Sequence, residues 1–140
     1  KTPLLVDLSL TADDRFLFAS TFLDGTVRVF DVSDPRHPKQ VYEKKIGAQV
    51  NMTSQSWDGK RVYFTSSLLA NWDKTEGKDG EHVQYLKAYA WNGKELTEKF
   101  TVDFIAEKLG APHQMRFGAH ALYAGRPDPK GTGRLAGLTP

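Results

Sequence analysis

Between positions 26 and 32 apolar and polar residues alternate, with Val27, Val29 and Asp31 on one side of an extended chain and Arg28, Phe30 and Val32 on the other. That pattern predicts a strand. Runs at 4–10, 15–21 and 39–46 predict three more, joined by Ala12-Asp13-Asp14, by Phe22-Leu23-Asp24-Gly25 and by the proline-bearing loop Ser33-Asp34-Pro35-Arg36-His37-Pro38. A second set of four is predicted near 50–56, 60–67, 83–91 and 95–104. The two sets share a phrase. Ser9-Leu10-Thr11-Ala12-Asp13-Asp14-Arg15-Phe16 is answered by Ser54-Gln55-Ser56-Trp57-Asp58-Gly59-Lys60-Arg61, 45 positions later. A period of about 40 to 45 residues with four strands per unit is the mark of a β-propeller blade, because one small sheet cannot bury both faces alone.

The expected fold is therefore all-β, with WD40/YVTN-like propeller blades. A closed ring needs at least about four blades of this length, so 140 residues make part of a propeller. Residues 1–125 are expected to form blades: one over 1–47, a second over 48–105 and a partial closing blade over 106–125. Matching Val27 with Leu86 raises the spacing from 45 to 59, so the additional 14 residues lie around 70–82, in a long loop. Long loops in compact folds usually carry function or move. A weaker third copy aligns Gly118 with Gly59 and so His113 with Ser54 and Ser9, on the innermost strand of its blade; 126–140 reads as a tail without strand pattern. The opening at Lys1, directly in a strand-like run, suits a processed or partial chain.

Composition narrows the chemistry. The net charge of +2 comes from 19 basic and 17 acidic residues that are interspersed, which disfavours nucleic acid. No run of apolar residues is long enough to span a membrane as a helix. Without cysteine there is no disulfide, thiolate ligand or cysteine nucleophile. A Gly-rich phosphate loop, a Gly-x-Ser-x-Gly elbow and a His-Glu-x-x-His run are also missing from the sequence.

Several phrases resemble the selenium-binding protein and methanethiol oxidase family. They are Pro3-Leu4-Leu5-Val6-Asp7-Leu8-Ser9-Leu10, Asp24-Gly25-Thr26-Val27-Arg28, Asp58-Gly59-Lys60-Arg61-Val62-Tyr63-Phe64-Thr65 with Trp72-Asp73-Lys74, and Pro112-His113-Gln114-Met115-Arg116-Phe117. The resemblance covers most of 1–117 and implies the last two to three blades of a larger propeller. It further implies a copper-dependent oxidase that converts methanethiol, O2 and water to formaldehyde, hydrogen sulfide and hydrogen peroxide in the periplasm, after loss of a signal peptide. Expected partners are methanethiol, O2 and the rest of the same propeller, with a homo-oligomer as a further option. Two departures stand out: Asp24 where eukaryotic relatives tend to have His, and Gln114 where an acid is usual. The cysteine tied to selenium in animal relatives would fall upstream or is lacking here, so selenium binding is not supported.

His113 is the first metal-ligand candidate, since imidazole suits copper and the family phrase carries it; a histidine satisfying a loop is the plainer alternative. Its co-ligands would lie elsewhere. His120 reads as packing or surface, and His37 and His82 as solvated. Trp72 and Arg116 are substrate-channel candidates, with loop anchoring and an ordinary ion pair as their plainer roles. Asp73 is likewise expected in an ion pair, and Trp57 and Trp91 in rim packing. Met52 offers a soft thioether but reads first as filling. The rival function is a non-enzymatic binding scaffold; a calcium-dependent propeller lactonase ranks last, because Ser9, Ser54 and His113 replace the carboxylates it would need.

Overall fold

The computed structural model describes residues 2–117 and is built of two antiparallel four-stranded sheets in plain meander order. The first contains β1 (Leu5–Leu10), β2 (Phe16–Thr21), β3 (Thr26–Asp31) and β4 (Lys39–Lys45); the second contains β5 (Thr53–Gln55), β6 (Arg61–Thr65), β7 (Tyr85–Trp91) and β8 (Leu96–Asp103). The remainder of the third repeat, His120 and the 126–140 tail lie outside the described residues. Each strand falls within a run the alternation marked. In β3, Val27 and Val29 are wholly buried while Arg28 and Phe30 are half-buried, as a period of two requires.

The sheets stack face to face. Phe16, Phe18, Val27 and Val29 of the first meet Val62, Phe64, Tyr89 and Trp91 of the second, with Ile46 and Val50 of the connecting segment between them. Trp91 is the hub: its ring meets Phe16 at 5.4 Å, Phe18 at 5.3 Å and Tyr42 at 5.9 Å, the first two edge-on. Nearer the innermost strands the seam turns polar. Thr53 N–H donates to Asp7 (2.7 Å), Gln55 Nε2 donates to Ser9 Oγ (2.8 Å), and the Ser20 hydroxyl donates to the Asn51 carbonyl. Along that strip Asn51 Oδ1, Thr53 Oγ1 and Gln55 Oε1 are buried without a protein partner.

The tight turns repeat as the sequence does. Thr11 Oγ1 donates to Asp13 in the first sheet and Ser56 Oγ to Asp58 in the second, both at 2.5 Å, and each carboxylate also accepts the amide two residues on. The β2–β3 turn is pinned by Asp24, which accepts from Arg28 at 2.7 Å and from the Thr21 hydroxyl. Partial burial pushes the Asp24 carboxyl up, but bonds from Arg28, Thr21 and Thr26 outweigh it and hold the group below the ordinary range.

Candidate functional site

One end of the second sheet gathers the residues of interest. β6 ends at Thr65, and Ser66 and Ser67 continue into the insertion, which contains only one 3-10 turn (Lys78–Gly80) before β7. The segment 112–117 runs back alongside β5. Ser67 N–H donates to the Pro112 carbonyl (3.0 Å), Thr65 Oγ1 to the His113 carbonyl (2.6 Å), and the Ser54 hydroxyl to the Met115 carbonyl. The segment thus occupies the place next to β5 that β5 occupies next to β1. No ladder runs through His113 among the described residues; its backbone carbonyl is held by the Thr65 hydroxyl of the neighbouring sheet.

The imidazole of His113 is fixed. Its Nδ1 lies 2.9 Å from the Ser67 carbonyl, which can only accept, so Nδ1 carries the proton and Nε2 keeps a free lone pair. His113 as a residue is exposed. A histidine whose far nitrogen donates to a backbone carbonyl has the arrangement usual for metal-ligating imidazoles. This tests the fit to copper favourably at one position. It also limits it: among the described residues no three His, Cys, Asp or Glu side chains come together.

The other candidates are spread over two ends. Trp72 is 55% exposed and lines a cleft of about 720 Å³ with Leu23, Lys45, Gln49 and Lys74, between the β2–β3 turn and the insertion. Arg116 sits at the opposite end of β5, in a cleft of about 480 Å³ with Ser9, Ser54, Gln55 and Trp57. It bonds Gln114 (3.2 Å) and takes no part in an ion pair among the described residues, since Gln114 stands where an acid would have been its partner. Structure therefore does not join Trp72, Arg116 and His113 into one pocket.

Two expectations need correction. Asp73 forms no ion pair among the described residues; it accepts the Ser67 hydroxyl (2.5 Å) and the amides of Leu68 (2.9 Å) and Leu69 (3.2 Å), because the chain turns sharply there and leaves those donors free. Trp57 is 58% exposed at its turn among the described residues, whereas Trp91 is buried as expected. His37 and His82 are exposed as expected, and their Nδ1 atoms lie against Asp34 (2.8 Å) and Asp103 (2.6 Å). Bonds from the Ala106 amide and from His82 lower the Asp103 pKa. Met52 is half-buried and bonded through its carbonyl to Thr65 N–H (3.1 Å). Sequence reading missed Asn51, which is wholly buried and donates through Nδ2 to the Ser67 carbonyl; its signal was a lone asparagine among apolar residues just before an inner strand.

Comparison with known proteins places these features. The family model of the 56 kDa selenium-binding protein matches residues 1–121. Methanethiol oxidases of Hyphomicrobium sp. and Ruegeria pomeroyi are 62% and 63% identical over 85% and 87% of this chain, each match covering 27% of the relative. The methanethiol oxidase of Homo sapiens is 31% identical over 81% of the chain and 32% of its own length. The chain thus spans about a quarter to a third of the curated relatives it matches. Among solved structures, a hypothetical selenium-binding protein from Sulfolobus tokodaii aligns at a TM-score of 0.60 with 28% identity, over 73% of this chain and 26% of that one. A putative 6-phosphogluconolactonase from Bacteroides uniformis aligns at 0.54 with 18% identity, over 72% of this chain and 26% of that one, and shares the fold alone.

Proposed function

Since the chain belongs to the 56 kDa selenium-binding protein family, we propose that it forms part of the propeller of a copper-dependent methanethiol oxidase. The reaction consumes methanethiol, O2 and water and yields formaldehyde, hydrogen sulfide and hydrogen peroxide. The observation that carries the copper reading is the His113 ring, with Nδ1 tied to the Ser67 carbonyl and Nε2 left free. His113 would hold the metal through Nε2, with co-ligands from outside the described residues. Bound copper would supply one-electron chemistry toward O2. This chain's own part is to orient that imidazole: Thr65 and Ser67 fix the backbone on both sides of it. Names of the Hyphomicrobium and Ruegeria relatives support the substrate. Location in the periplasm belongs to the same proposal and is checked by cell fractionation.

The test is copper content and thiol-dependent O2 uptake of the intact protein beside His113→Ala. Loss of stoichiometric copper and of uptake in the variant is expected. Copper retained in folded His113→Ala overturns the assignment of His113 as a ligand. A second reading, a binding scaffold without catalysis, draws on the exposed Trp72 cleft. It predicts no firmly held copper and no thiol-dependent uptake.

A further inference from the structure

His113 does not hold its orientation alone. Its ring donates to a carbonyl that also accepts from Asn51 Nδ2. Two donors use both lone pairs of Ser67 O, so water has no place from which to compete for it. Turning the ring over would put a carbon against that oxygen and forfeit the bond. The position of the carbonyl itself is set from three sides. Asn51 is wholly buried, and its backbone bonds both the Thr65 carbonyl (2.7 Å) and the Ser20 hydroxyl of the first sheet. The Ser67 amide bonds Pro112 (3.0 Å). On the outer side the Ser67 hydroxyl donates to Asp73 (2.5 Å), which also takes the Leu68 and Leu69 amides.

The first turn of the insertion is closed by the same residues. The amides of Trp72 and Asp73 both donate to the Leu69 carbonyl, at 2.8 and 2.9 Å. That turn therefore leaves β6 as a rigid knuckle, and the knuckle is bonded to the residue that carries the His113 acceptor.

We propose that Asn51, Ser67 and Asp73 are positioning residues for His113: together they hold the Ser67 carbonyl as a saturated acceptor, so that the imidazole is locked with its proton on Nδ1 and Nε2 presented to a metal ion. This rests on the copper reading given above and adds the means by which the protein sets up its histidine before metal arrives. The insertion, with Asp73 at its root, becomes part of the metal centre although none of its side chains need touch the metal.

Two readouts test it on the intact protein. Nitrogen-15 NMR of labelled histidine, without metal, reports which ring nitrogen of His113 is protonated, its signal being identified by its loss in His113→Ala. Copper titration gives affinity. Wild type is expected to show the Nδ1–H form alone. Asp73→Ala, which strips the hydroxyl and two amides of their acceptor, is expected to mix the two tautomers and weaken copper binding about 10- to 100-fold. Asp73→Asn keeps an oxygen for the amides and is expected to restore both. Should Asp73→Ala fail to fold, Ser67→Ala removes the one hydroxyl bond and reports in its place. An Nε2–H ring in wild type overturns the proposal, as does a folded Asp73→Ala (or, in its place, Ser67→Ala) with unchanged tautomer and copper affinity. Copper kept by His113→Ala with the Nδ1–H form present in wild type defeats the metal reading while leaving the positioning of the ring established.

Discussion

Trp91 and Asp24 show two ways in which one residue holds this fold. Trp91 joins the sheets through three aromatic contacts, and truncation there leaves a void flanked by Phe16 and Phe18. Trp91→Ala is expected to lower stability by about 3 to 5 kcal/mol, read from a shift in denaturant midpoint at constant slope. Asp24 acts through charge. Its carboxyl, held below the ordinary value, gives a contribution that is complete above about pH 4 and fades as pH falls through the lowered folded value. Wild type and Asp24→Asn should therefore differ most in stability at neutral pH and converge in acid, as urea melts across pH will show. At this scale the sequence was unevenly legible. His113 could be singled out because a residue type and a family phrase agreed. Asn51 and the true partners of Asp73 could not, because each joins residues 16 or more apart, or lies in a turn whose geometry composition does not set.

At the scale of elements, strands were legible and the joints between them were not. All eight strands fall within runs that could be read from the sequence, most plainly β3 with its alternating buried side, and the repeated Thr/Ser-x-Asp turns were visible as phrases. The connection from β4 to β5 was hidden. There the carbonyl of Gly47 lies only 2.0 Å from where a Cβ on Gly25 would stand, and Gly25 already has φ of 66°. Gly59 shares the left-handed conformation, at 67°, with open space around it. Gly59→Ala should then cost about 1 to 2 kcal/mol for conformation alone, and Gly25→Ala about 3 kcal/mol or more once the linker is displaced. Equal losses in thermal melts of the two variants would refute the close approach. The jump in repeat spacing puts the insertion in the stretch between β6 and β7, but its tight first turn was hidden, since Asn71-Trp72-Asp73 reads only as polar loop.

For the whole molecule, the two outer faces matter most. On the first sheet Leu5, Leu8 and Leu10 are 54%, 52% and 48% exposed on the side away from the second sheet. The corresponding positions of the second sheet, Thr53 and Gln55, are covered by the first. A neighbouring blade in the intact propeller would cover the leucines, and Leu8→Asp should then destabilise the intact protein by several kcal/mol, about the cost of burying an unpaired charge after it has largely neutralised; an unchanged melting curve would mean the face is free. The seam between the sheets is uneven along its radius. Aromatic rings fill its outer part, while along the innermost strands Asn51, Thr53 and Gln55 each keep a buried oxygen with no partner among the described residues. Separating the rings exposes hydrocarbon, whereas separating the polar strip trades one hydrogen bond for another. A seam of this kind opens first along its polar strip, so amides of β5 should exchange with deuterium before those of β6, and that opening begins beside Asn51, whose side chain holds the His113 acceptor.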